Sequence, residues 1–305
     1  MRVCVTGGAG FIGSHLVDRL IALGHTVLVI DNLSTGVKEF VNSKATFVEI
    51  DVRDSKLEAV FAKFKPQVVF HEAAQTMVPA SMENPKMDCD INLLGLINIL
   101  EASRKHGVGH FLMPSSAAVY GDLNTLPLTE EMIGKPTSFY GLTKLTGEGY
   151  LRIYEQAFGL KTVCFRYSNV YGPRQGDGGE GGVISIFTRL INEGQGLTIF
   201  GDGEQTRDFI YVDDVVEANI KAMNHPEVTG VYNISTNTST SVNELVGYFK
   251  SITNKDLSVY YEAERTGDIR HSRLCNQKAN VDFDFVATVD LECGLSDTIS
   301  YFKGK

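Results

Sequence analysis

The segment TGGAGFIGSH, residues 6–15, joins an apolar run to an amphipathic stretch, and this context decides the fold. The preceding run, RVCVT (2–6), predicts a buried strand, and apolar residues then recur at helical spacing from Phe11 to Leu23. Helical patterns alternate with five further strand-like runs: TVLVID (26–31), TFVEID (46–51), QVVFHEAA (67–74), HFLMPSS (110–116) and TVCFRYSN (162–169). Alternation of this kind predicts an α/β fold with a doubly wound, Rossmann-like parallel sheet.

The pattern changes after residue 166. The segment GDGGEGG (176–182) has five glycines in seven positions, and the later segments are shorter and mixed. A chain of 305 residues has room for one large domain and a smaller lobe. We therefore predict a Rossmann domain of residues 1–165, to which 203–238 return, and a smaller mixed α/β lobe of residues 166–202 and 239–305.

Charge and composition narrow the classes of partner. The net charge is −9, and Lys and Arg do not cluster, which argues against nucleic acid or an anionic membrane as a partner. No apolar run approaches the length of a membrane span, and a strand at the first residues leaves no room for a signal peptide. The five cysteines are odd in number and form no Cys-x-x-Cys pair, so a reducing compartment, the cytoplasm, is expected.

The glycine segment predicts a dinucleotide site. Gly7, Gly10 and Gly13 form a Gly-x-x-Gly-x-x-Gly pattern that follows a strand and opens a helix. Without side chains, the backbone can approach a pyrophosphate, whose charge the helix N-terminus favours. The alternative is an ordinary glycine turn. A Walker-type phosphate loop is excluded because no Gly-Lys-Ser/Thr follows.

Asp31 at the end of the second run favours NAD over NADP. It lies 18 residues after Gly13, where a carboxylate can accept both ribose hydroxyls and would repel a 2′-phosphate. No Arg follows it in DNLSTG (31–36). Asp31 could also form an Asx turn, and the two roles are compatible.

Other polar motifs favour structural roles. HEAAQ (71–75) has Gln75 where a zinc protease would need a second His, and glycines break any helix between His106 and His110. We therefore predict no metal site. Either Asp213 or Asp214 is expected to cap the helix that follows.

Tyr140 and Lys144 lie four residues apart in PTSFYGLTKLTGE (136–148), so they share one face of a predicted helix. Spacing alone is weak evidence for chemistry, because Tyr301 and Lys305 have the same spacing in the polar tail. The surrounding motifs must therefore show whether Tyr140 and Lys144 are an ordinary surface pair or take part in proton transfer.

Those motifs resemble the extended short-chain dehydrogenase/reductase superfamily. The resemblance rests on TGGAGFIG, SSAAVYG (115–121), YGLTK (140–144) and RYSNVYGPRQ (166–175). Two further segments make the chain similar to nucleotide-sugar epimerases of the UDP-glucose/UDP-N-acetylglucosamine 4-epimerase type: GDGEQTRDFIYVDD (201–214) and GDIRHS (267–272). The motifs occur in order from residue 1 to about 280.

The resemblance implies NAD-dependent 4-epimerisation of a UDP-sugar through a transient 4-keto sugar. Tyr140 would be the catalytic base, Lys144 would hold the nicotinamide ribose, and Ser116 would hydrogen-bond the reacting sugar oxygen. Ser115 fits that last role less well, since its side chain should face elsewhere. A tyrosine that works near neutrality needs a pKa about 3 units below its usual value, which Lys144 and the positive nicotinamide ring would supply.

The resemblance also implies the residues that bind each ligand. Besides Tyr140 and Lys144, the implied NAD contacts are Gly7, Gly10, Phe11, Ile12, Gly13, Asp31, Asn32, Ser34, Thr35, Gly36, Asp51, Val52, Ala73, Ala74, Gln75, Asn92 and Tyr167. The implied UDP-sugar contacts are Thr76, Ser116, Asn169, Thr198, Phe200, Arg207, Arg265, Asp268 and Ser272. Within that set, Asn169, Arg207 and Arg265 match diphosphate contacts, Thr198 and Phe200 the uracil segment, and Asp268 the uridine ribose.

Ser272 matches the position that selects sugar size. A Ser there leaves room for an N-acetyl group, so both UDP-GlcNAc/UDP-GalNAc and UDP-Glc/UDP-Gal are expected substrates. Ala117 and Ala118 stand where the related dehydratases carry Asp-Glu, so dehydration is disfavoured.

Three alternatives remain open: a UDP-uronate 4-epimerase, another nucleotide-sugar oxidoreductase such as a reductase, and a non-catalytic NAD-binding regulator. The resemblance further implies a homodimer built from helices near 86–106 and 140–158.

Overall fold

A seven-stranded parallel sheet forms the centre of the protein. The structure is a computed structural model, and it describes residues 1–123, 125–176, 182–264 and 269–303. The strand order is β11-β6-β5-β4-β1-β2-β3, so the order reverses beside β1, as in doubly wound folds. The strands are β1 (Arg2–Thr6), β2 (Thr26–Asp31), β3 (Thr46–Glu49), β4 (Val68–His71), β5 (His110–Ser116), β6 (Lys161–Tyr167) and β11 (Gly230–Ile234).

The predicted strands form because both faces of the sheet are covered. In β1, Val3 and Val5 belong to one apolar core and Cys4 to the core on the opposite face, and all three are fully buried. Successive side chains of a strand point to opposite faces, so a strand buried on both faces is apolar throughout. All six predicted runs contain a strand, and β11 is the seventh.

Helices cover the sheet on both sides. The predicted helix near 86–106 is interrupted by a π-helical turn at Asp90–Leu94, and the one near 140–158 is a single helix. The helices are α1 (Phe11–Ala22), α2 (Leu57–Phe64), α3 (Val78–Glu83), α4 (Pro85–Cys89), α5 (Gly95–Lys105), α6 (Phe139–Phe158), α7 (Val183–Asn192), α8 (Val212–Asn224), α9 (Val242–Thr253), α10 (Gln277–Phe283) and α11 (Leu291–Lys303). Short 3-10 turns lie at Lys38–Phe40 and Ala117–Val119.

Three small sheets accompany the second half of the chain. β7 pairs with β10 and β8 with β13 in parallel, whereas β9 pairs with β12 in antiparallel. Their strands are β7 (Asn169–Tyr171), β8 (Leu197–Phe200), β9 (Thr206–Arg207), β10 (Phe209–Tyr211), β12 (Thr240–Ser241) and β13 (Val259–Glu262). A separate apolar core contains side chains of β7, β8 and β10 together with side chains of α7, α9 and α11.

The expected cap on α8 is absent, and Asp214 has a different role. Tyr211 occupies the N-cap position, and its side chain makes no capping hydrogen bond to the helix. The buried Asp214 carboxylate instead accepts hydrogen bonds from the backbone amides of Thr288 and Val289, at 2.9 and 3.1 Å. Asp214 thus anchors the segment before α11, a contact between positions that are distant in sequence.

Candidate active site

The residues predicted to be catalytic meet beyond the carboxyl end of β5. Ser116 ends that strand, and Tyr140 lies in the first turn of α6. This helix begins where it does because the Ser138 side chain caps it, accepting a hydrogen bond from the Gly141 amide at 3.1 Å. The Ser116 hydroxyl accepts a hydrogen bond from the Ala118 amide at 3.1 Å, and it is close enough to the Tyr140 phenol to affect the pKa of that group.

Lys144 is placed one turn further along α6 and is 6% exposed. Its ammonium donates a hydrogen bond to the Pro114 carbonyl at 3.0 Å and lies 5.9 Å from the centre of the Tyr140 ring. The helix and the end of β5 therefore hold a phenol, a hydroxyl and an ammonium together.

The protein raises the pKa of the Tyr140 phenol. Burial is the main cause and the Asp88 charge adds to it, while the hydrogen bond with Ser116 acts in the lowering direction. The protein groups alone therefore do not produce the expected lowering of the Tyr140 pKa. The positive ring of NAD⁺, when bound, would add stabilisation of the phenolate.

Ser115 faces away from this site. Its hydroxyl donates a 2.5 Å hydrogen bond to the Glu148 carboxylate inside the core. The Arg166 guanidinium also binds Glu148, with Nε and Nη2 donating at 2.9 and 2.8 Å, and both members of the pair are 6% exposed. This ion pair fixes α6 against β5 and β6.

The glycine loop after β1 forms a cradle that only glycine can line. Gly7 has φ +68°, and a Cβ there would lie 2.6 Å from the Ala73 amide nitrogen. A Cβ at Gly13 would lie 2.2 Å from the Gly7 carbonyl oxygen. Gly10 stands at the N-cap of α1, whose first residues are Phe11 and Ile12. The close-packed loop at a helix N-terminus fits the pyrophosphate of NAD.

Asp31 lies beside this loop, at the end of β2. One carboxylate oxygen accepts a hydrogen bond from the Ala9 amide at 3.0 Å, and the other accepts one from the Leu33 amide at 2.8 Å. The Asx turn is therefore present, and each oxygen keeps a second lone pair for a ribose hydroxyl. A Cβ at Gly36 would lie 2.8 Å from Asp31 Oδ1, so the loop packs closely around the carboxylate.

The remaining residues predicted for the adenosine half adjoin Asp31. Asn32 donates a hydrogen bond to Asp51 at 2.7 Å and accepts one from the Ser34 amide at 3.0 Å. Arg53 binds the same Asp51 carboxylate and holds its pKa well below the usual range. Thr35 follows Ser34 in the loop, and Val52 is buried beside Gly95.

The loop after β4 is tied to the π-helical turn. Asn92 accepts a hydrogen bond from the Gln75 amide at 2.9 Å and donates one to the Gln75 carbonyl at 3.0 Å. The Asn92 amide is thus engaged within the protein, and it positions the Ala73–Ala74–Gln75 backbone. Thr76 follows as an exposed residue. Tyr167 has a buried ring, and its hydroxyl accepts a hydrogen bond from Asn219 at 2.7 Å.

Four of the residues predicted to bind the sugar nucleotide lie on the small sheets, and Ser272 adjoins β9. The Ser272 amide donates to the Thr206 carbonyl at 3.1 Å, which sets Ser272 beside Arg207 of β9. Thr198 and Phe200 lie on β8, and Asn169 begins β7 as an exposed residue. Arg265 and Asp268 fall outside the described residues.

The sequence pattern does not single out three further residues of the site. The buried Asp88 carboxylate accepts hydrogen bonds from Gln75 at 2.8 Å and from Thr143 at 2.8 Å. Thr143 precedes Lys144, so Asp88 clamps the catalytic helix. Glu72 is the third residue, with a carboxyl oxygen buried near Lys144. The sequence contains one signal for Asp88. It lies four residues before Asn92, a predicted NAD contact, so both side chains lie on one helix face.

The residues that the structure describes hold no group of three or more His, Cys, Asp or Glu side chains arranged for a metal ion. Within them, no helix is both long and apolar enough to cross a membrane.

Comparison with known proteins identifies the family. The family model described as NAD dependent epimerase/dehydratase family matches residues 3–235. A putative UDP-glucose 4-epimerase from Methanocaldococcus jannaschii is 44% identical over 302 residues, which covers 99% of this chain and 98% of the relative.

Two solved structures extend the likeness to the whole fold. UDP-glucose 4-epimerase from Thermotoga maritima, solved with UDP-glucose, has a TM-score of 0.96 at 43% identity and covers 100% of this chain and 99% of its own. UDP-N-acetylglucosamine 4-epimerase from Methanobrevibacter ruminantium, in complex with UDP-N-acetylmuramic acid, has a TM-score of 0.95 at 36% identity and covers 99% and 97%.

These likenesses confirm the predicted family, NAD as the cofactor and the predicted class of enzyme. The chain belongs to the NAD-dependent epimerase/dehydratase family, as an NAD-dependent nucleotide-sugar 4-epimerase of the extended short-chain dehydrogenase/reductase type.

Proposed function

We propose that this enzyme interconverts UDP-N-acetylglucosamine with UDP-N-acetylgalactosamine, and UDP-glucose with UDP-galactose. The observation that carries the reaction type is the grouping of three side chains: Ser116 at the end of β5 acts on the Tyr140 phenol, and the Lys144 ammonium lies 5.9 Å from the centre of the Tyr140 ring on the same helix. Ala117 and Ala118 follow Ser116, and alanine cannot move the protons that dehydration requires. The arrangement therefore supports oxidation and reduction at one carbon.

In the proposed mechanism, the proton of the C4 hydroxyl passes to the Tyr140 oxygen as the C4–O bond becomes a carbonyl. Bound NAD⁺ supplies the acceptor for the hydride that leaves C4. The Ser116 hydroxyl orients the reacting oxygen, and Lys144 supplies positive charge that favours the phenolate. After the 4-keto sugar turns over, the hydride returns to the opposite face of C4 and Tyr140 returns the proton to the C4 oxygen. The sugar is then released as its epimer, and the cofactor would be back in its oxidised form.

We assign the nucleotide part of the substrate to the lobe of residues 166–202 and 239–305, together with Arg207 on β9. A guanidinium donates two parallel hydrogen bonds to phosphate oxygens, which suits Arg207 to the diphosphate. Thr198 and Phe200 on the neighbouring small sheet are assigned to the uracil.

Ser272 supports the wider substrate range. It is buried, at 7% exposure, and backbone hydrogen bonding to β9 fixes its position. A small residue at a buried, fixed position leaves space that a bulky side chain would fill. We assign that space to the substituent at C2 of the turning sugar.

The test is an epimerisation assay with UDP-hexoses, UDP-N-acetylhexosamines and UDP-uronates, analysed by NMR. Ser272→Tyr should reduce turnover of the N-acetylated pair at least tenfold and spare the plain hexoses, because overfilling a packed site costs about 1–3 kcal/mol. Ser55→Tyr, at an exposed turn, is the matched control and should act like the wild type.

Two results would contradict the proposal in different ways. Full turnover of UDP-N-acetylhexosamines by Ser272→Tyr would refute the size-selecting role of Ser272, but it would leave the assignment as an epimerase intact. Turnover of UDP-uronates alone by the wild type would replace the proposed substrates with the uronate alternative.

We also propose a homodimer formed through α5 and α6. Leu142 and Ile153 on α6 are each 49% exposed, and Tyr150 lies on the same stripe. Leu94, just before α5, is 56% exposed. A continuous apolar stripe on adjoining helices is typical of a helix–helix interface. Light scattering should give twice the 33.5 kDa chain mass, and Leu142→Glu should lower it. A wild-type protein of single-chain mass would refute this assembly.

For the compartment, we propose the cytoplasm. All five cysteines are free thiols, and Cys89 and Cys293 are exposed. Exposed thiols persist in a reducing environment. Cell fractionation tests the proposal, and recovery of the enzyme in a secreted fraction would contradict it.

A further inference from the structure

A two-point ion pair joins the turn between β8 and β9 to the segment that carries Ser272. The Arg270 guanidinium donates from Nη1 and Nη2 to the two carboxylate oxygens of Asp202, each at 2.7 Å. Such a pair fixes orientation as well as distance, because a planar fork of donors meets a planar carboxylate. The two residues are 68 positions apart, so the pair holds distant segments of the chain together.

The Asp202 end of this pair is part of a well-anchored turn. One Asp202 carboxylate oxygen also accepts a hydrogen bond from the Glu204 amide at 2.9 Å. The Asp202 carbonyl accepts one from the Asn243 side chain at 3.0 Å, and the Asn243 backbone amide donates to the Gly203 carbonyl at 3.0 Å. Asn243 lies in the first turn of α9. The turn is therefore attached to a helix and can hold another segment in place.

The Arg270 end belongs to a segment with a short backbone pairing. The Thr206 amide donates to the Arg270 carbonyl at 3.0 Å, and the Ser272 amide donates to the Thr206 carbonyl at 3.1 Å. Because β9 has only two residues, this pairing has little stability of its own. After Ser272, the fully buried Leu274 anchors the chain. Before Ser272, the anchors are the His271 ring, which is 3.0 Å from the Thr206 hydroxyl, and the Arg270 ion pair.

The same segment borders a cavity at the end of β8. The cavity is lined by Phe200, Gly201, Gln205, Glu264, Ile269 and Arg270. Phe200 is the residue assigned above to the uracil, and its carbonyl accepts a hydrogen bond from the Gln205 side chain at 2.8 Å. Arg270 thus adjoins two residues assigned to the substrate: Phe200 across the cavity and Ser272 in its own segment.

We propose that Arg270 is a positioning residue for the UDP-sugar, which acts through its ion pair with Asp202. The pair holds residues 269–272 against the turn after β8, and it thereby sets the spacing between the uracil and sugar parts of the site. Arg270 acts in this role through the segment that it anchors, without direct contact with the ligand. The inference rests on the proposed assignment of Phe200 and Ser272 to the substrate.

The charges around the pair agree with this role. Hydrogen bonding to Arg270 holds the pKa of Asp202 well below its usual range, so the carboxylate is ionised at neutral pH. The hydrogen bonds to Asp202 are also the main cause that raises the pKa of Arg270, and the charges of Glu264 and Glu204 add to it. Three carboxylates therefore act on one guanidinium. Removing the guanidinium leaves like charges that repel one another and loosen the segment.

The partial exposure of the pair separates its effect on binding from its effect on stability. Arg270 is 41% exposed and Asp202 is 58% exposed. Since exposed pairs contribute little to the free energy of unfolding, Arg270→Met should fold with a Tm within about 2 °C of the wild type. The Kd of UDP should rise about three- to fivefold, which is the largest factor that an exposed pair can supply.

The test measures UDP binding by calorimetry, and KM and kcat by the epimerisation assay. In Arg270→Met, KM for the UDP-sugar should rise by the same factor as the Kd of UDP. Both kcat and the affinity for NAD⁺ should stay within about twofold of the wild type, because the reacting groups are untouched. Arg19→Met is the matched control. Arg19 binds Glu217 at 2.6 Å with a similar exposure, 44% and 42%, and its loss should leave UDP binding unchanged.

A double-mutant cycle tests whether Arg270 acts through Asp202. Asp202→Asn removes the charge but keeps an oxygen for the Glu204 amide, and alone it should weaken UDP binding. Combined with Arg270→Met, it should cause no further loss, because the pair is already broken. Additive losses would overturn the proposal in favour of direct contact between Arg270 and the ligand.

Two further outcomes are decisive. An unchanged Kd of UDP in Arg270→Met would overturn the proposal, and if that variant does not fold, an unchanged Kd in Asp202→Asn would do the same. A wild type that binds NAD⁺ but neither binds UDP nor epimerises a UDP-sugar would instead overturn the proposed function.

Discussion

The ion pair between Glu148 and Arg166 should govern both the stability of the protein and the geometry of its active site. Each side chain is 6% exposed, and the two hydrogen bonds between them are 2.9 and 2.8 Å long. The Arg166 guanidinium also lies 4.7 Å from the centre of the Tyr120 ring. Glu148→Gln keeps the shape of the side chain but leaves the guanidinium buried without its counter-charge.

The expected cost can be worked from that burial. Breaking a buried pair by removing one partner costs about 3–5 kcal/mol, because the remaining charge is uncompensated. At about 2 °C per kcal/mol for a large domain, the Tm should fall by roughly 6–10 °C. Glu148 is also four residues beyond Lys144 on α6, and Ser115, which donates to it, precedes Ser116. The variant should therefore also lower kcat at temperatures where it remains folded.

The assay is thermal and urea unfolding monitored by circular dichroism, with kcat measured at 20 °C below the transition. Glu58→Gln is the matched control because the Lys105–Glu58 pair is 44% and 57% exposed and should contribute less than about 1 kcal/mol. A double change, Glu148→Leu with Arg166→Met, should recover stability, since a packed apolar pair removes both charges. Equal Tm values for Glu148→Gln and Glu58→Gln would refute the reasoning.

Two further predictions concern the reaction and its cofactor. Tyr140→Phe should lower kcat by orders of magnitude with little change in UDP-sugar binding, whereas Tyr301→Phe should leave kcat unchanged. Similar kinetics of the two variants would mean that Tyr140 and Lys144 have only a structural role. The wild type should bind NAD⁺ at least tenfold more tightly than NADP⁺ in calorimetric titrations, because the Asp31 carboxylate repels a 2′-phosphate. Equal affinities would contradict that role of Asp31.

The central sheet was predictable because its signal is local. A strand that is buried on both faces, such as β1, has consecutive apolar residues at its centre, and the run Val3–Val5 shows this pattern in adjacent letters. The glycine loop is equally local. Gly7 needs a left-handed backbone and Gly13 touches the loop itself, so both requirements appear as missing side chains.

The π-helical turn was not predictable for the opposite reason. It surrounds Asn92, whose side chain binds Gln75, 17 residues away, and Thr143, 51 residues away. A periodic apolar pattern indicates a helix through this region and carries no information about those bonds. The same holds for Asp214, which binds residues 74 and 75 positions further along the chain.

The serine pair at the end of β5 connects the stability of the fold to its chemistry. Neighbouring side chains in a strand point to opposite sides, so Ser115 and Ser116 cannot share a task. Ser115 turns into the core and binds Glu148, which fixes α6 against the sheet. Ser116 turns to the site, where it acts on the Tyr140 phenol of the same helix. The position of Tyr140 relative to Ser116 therefore depends on the buried bond between Ser115 and Glu148. A change that loosens the core at Glu148 must therefore reach the reacting atoms, while a change confined to Ser116 should leave the fold intact.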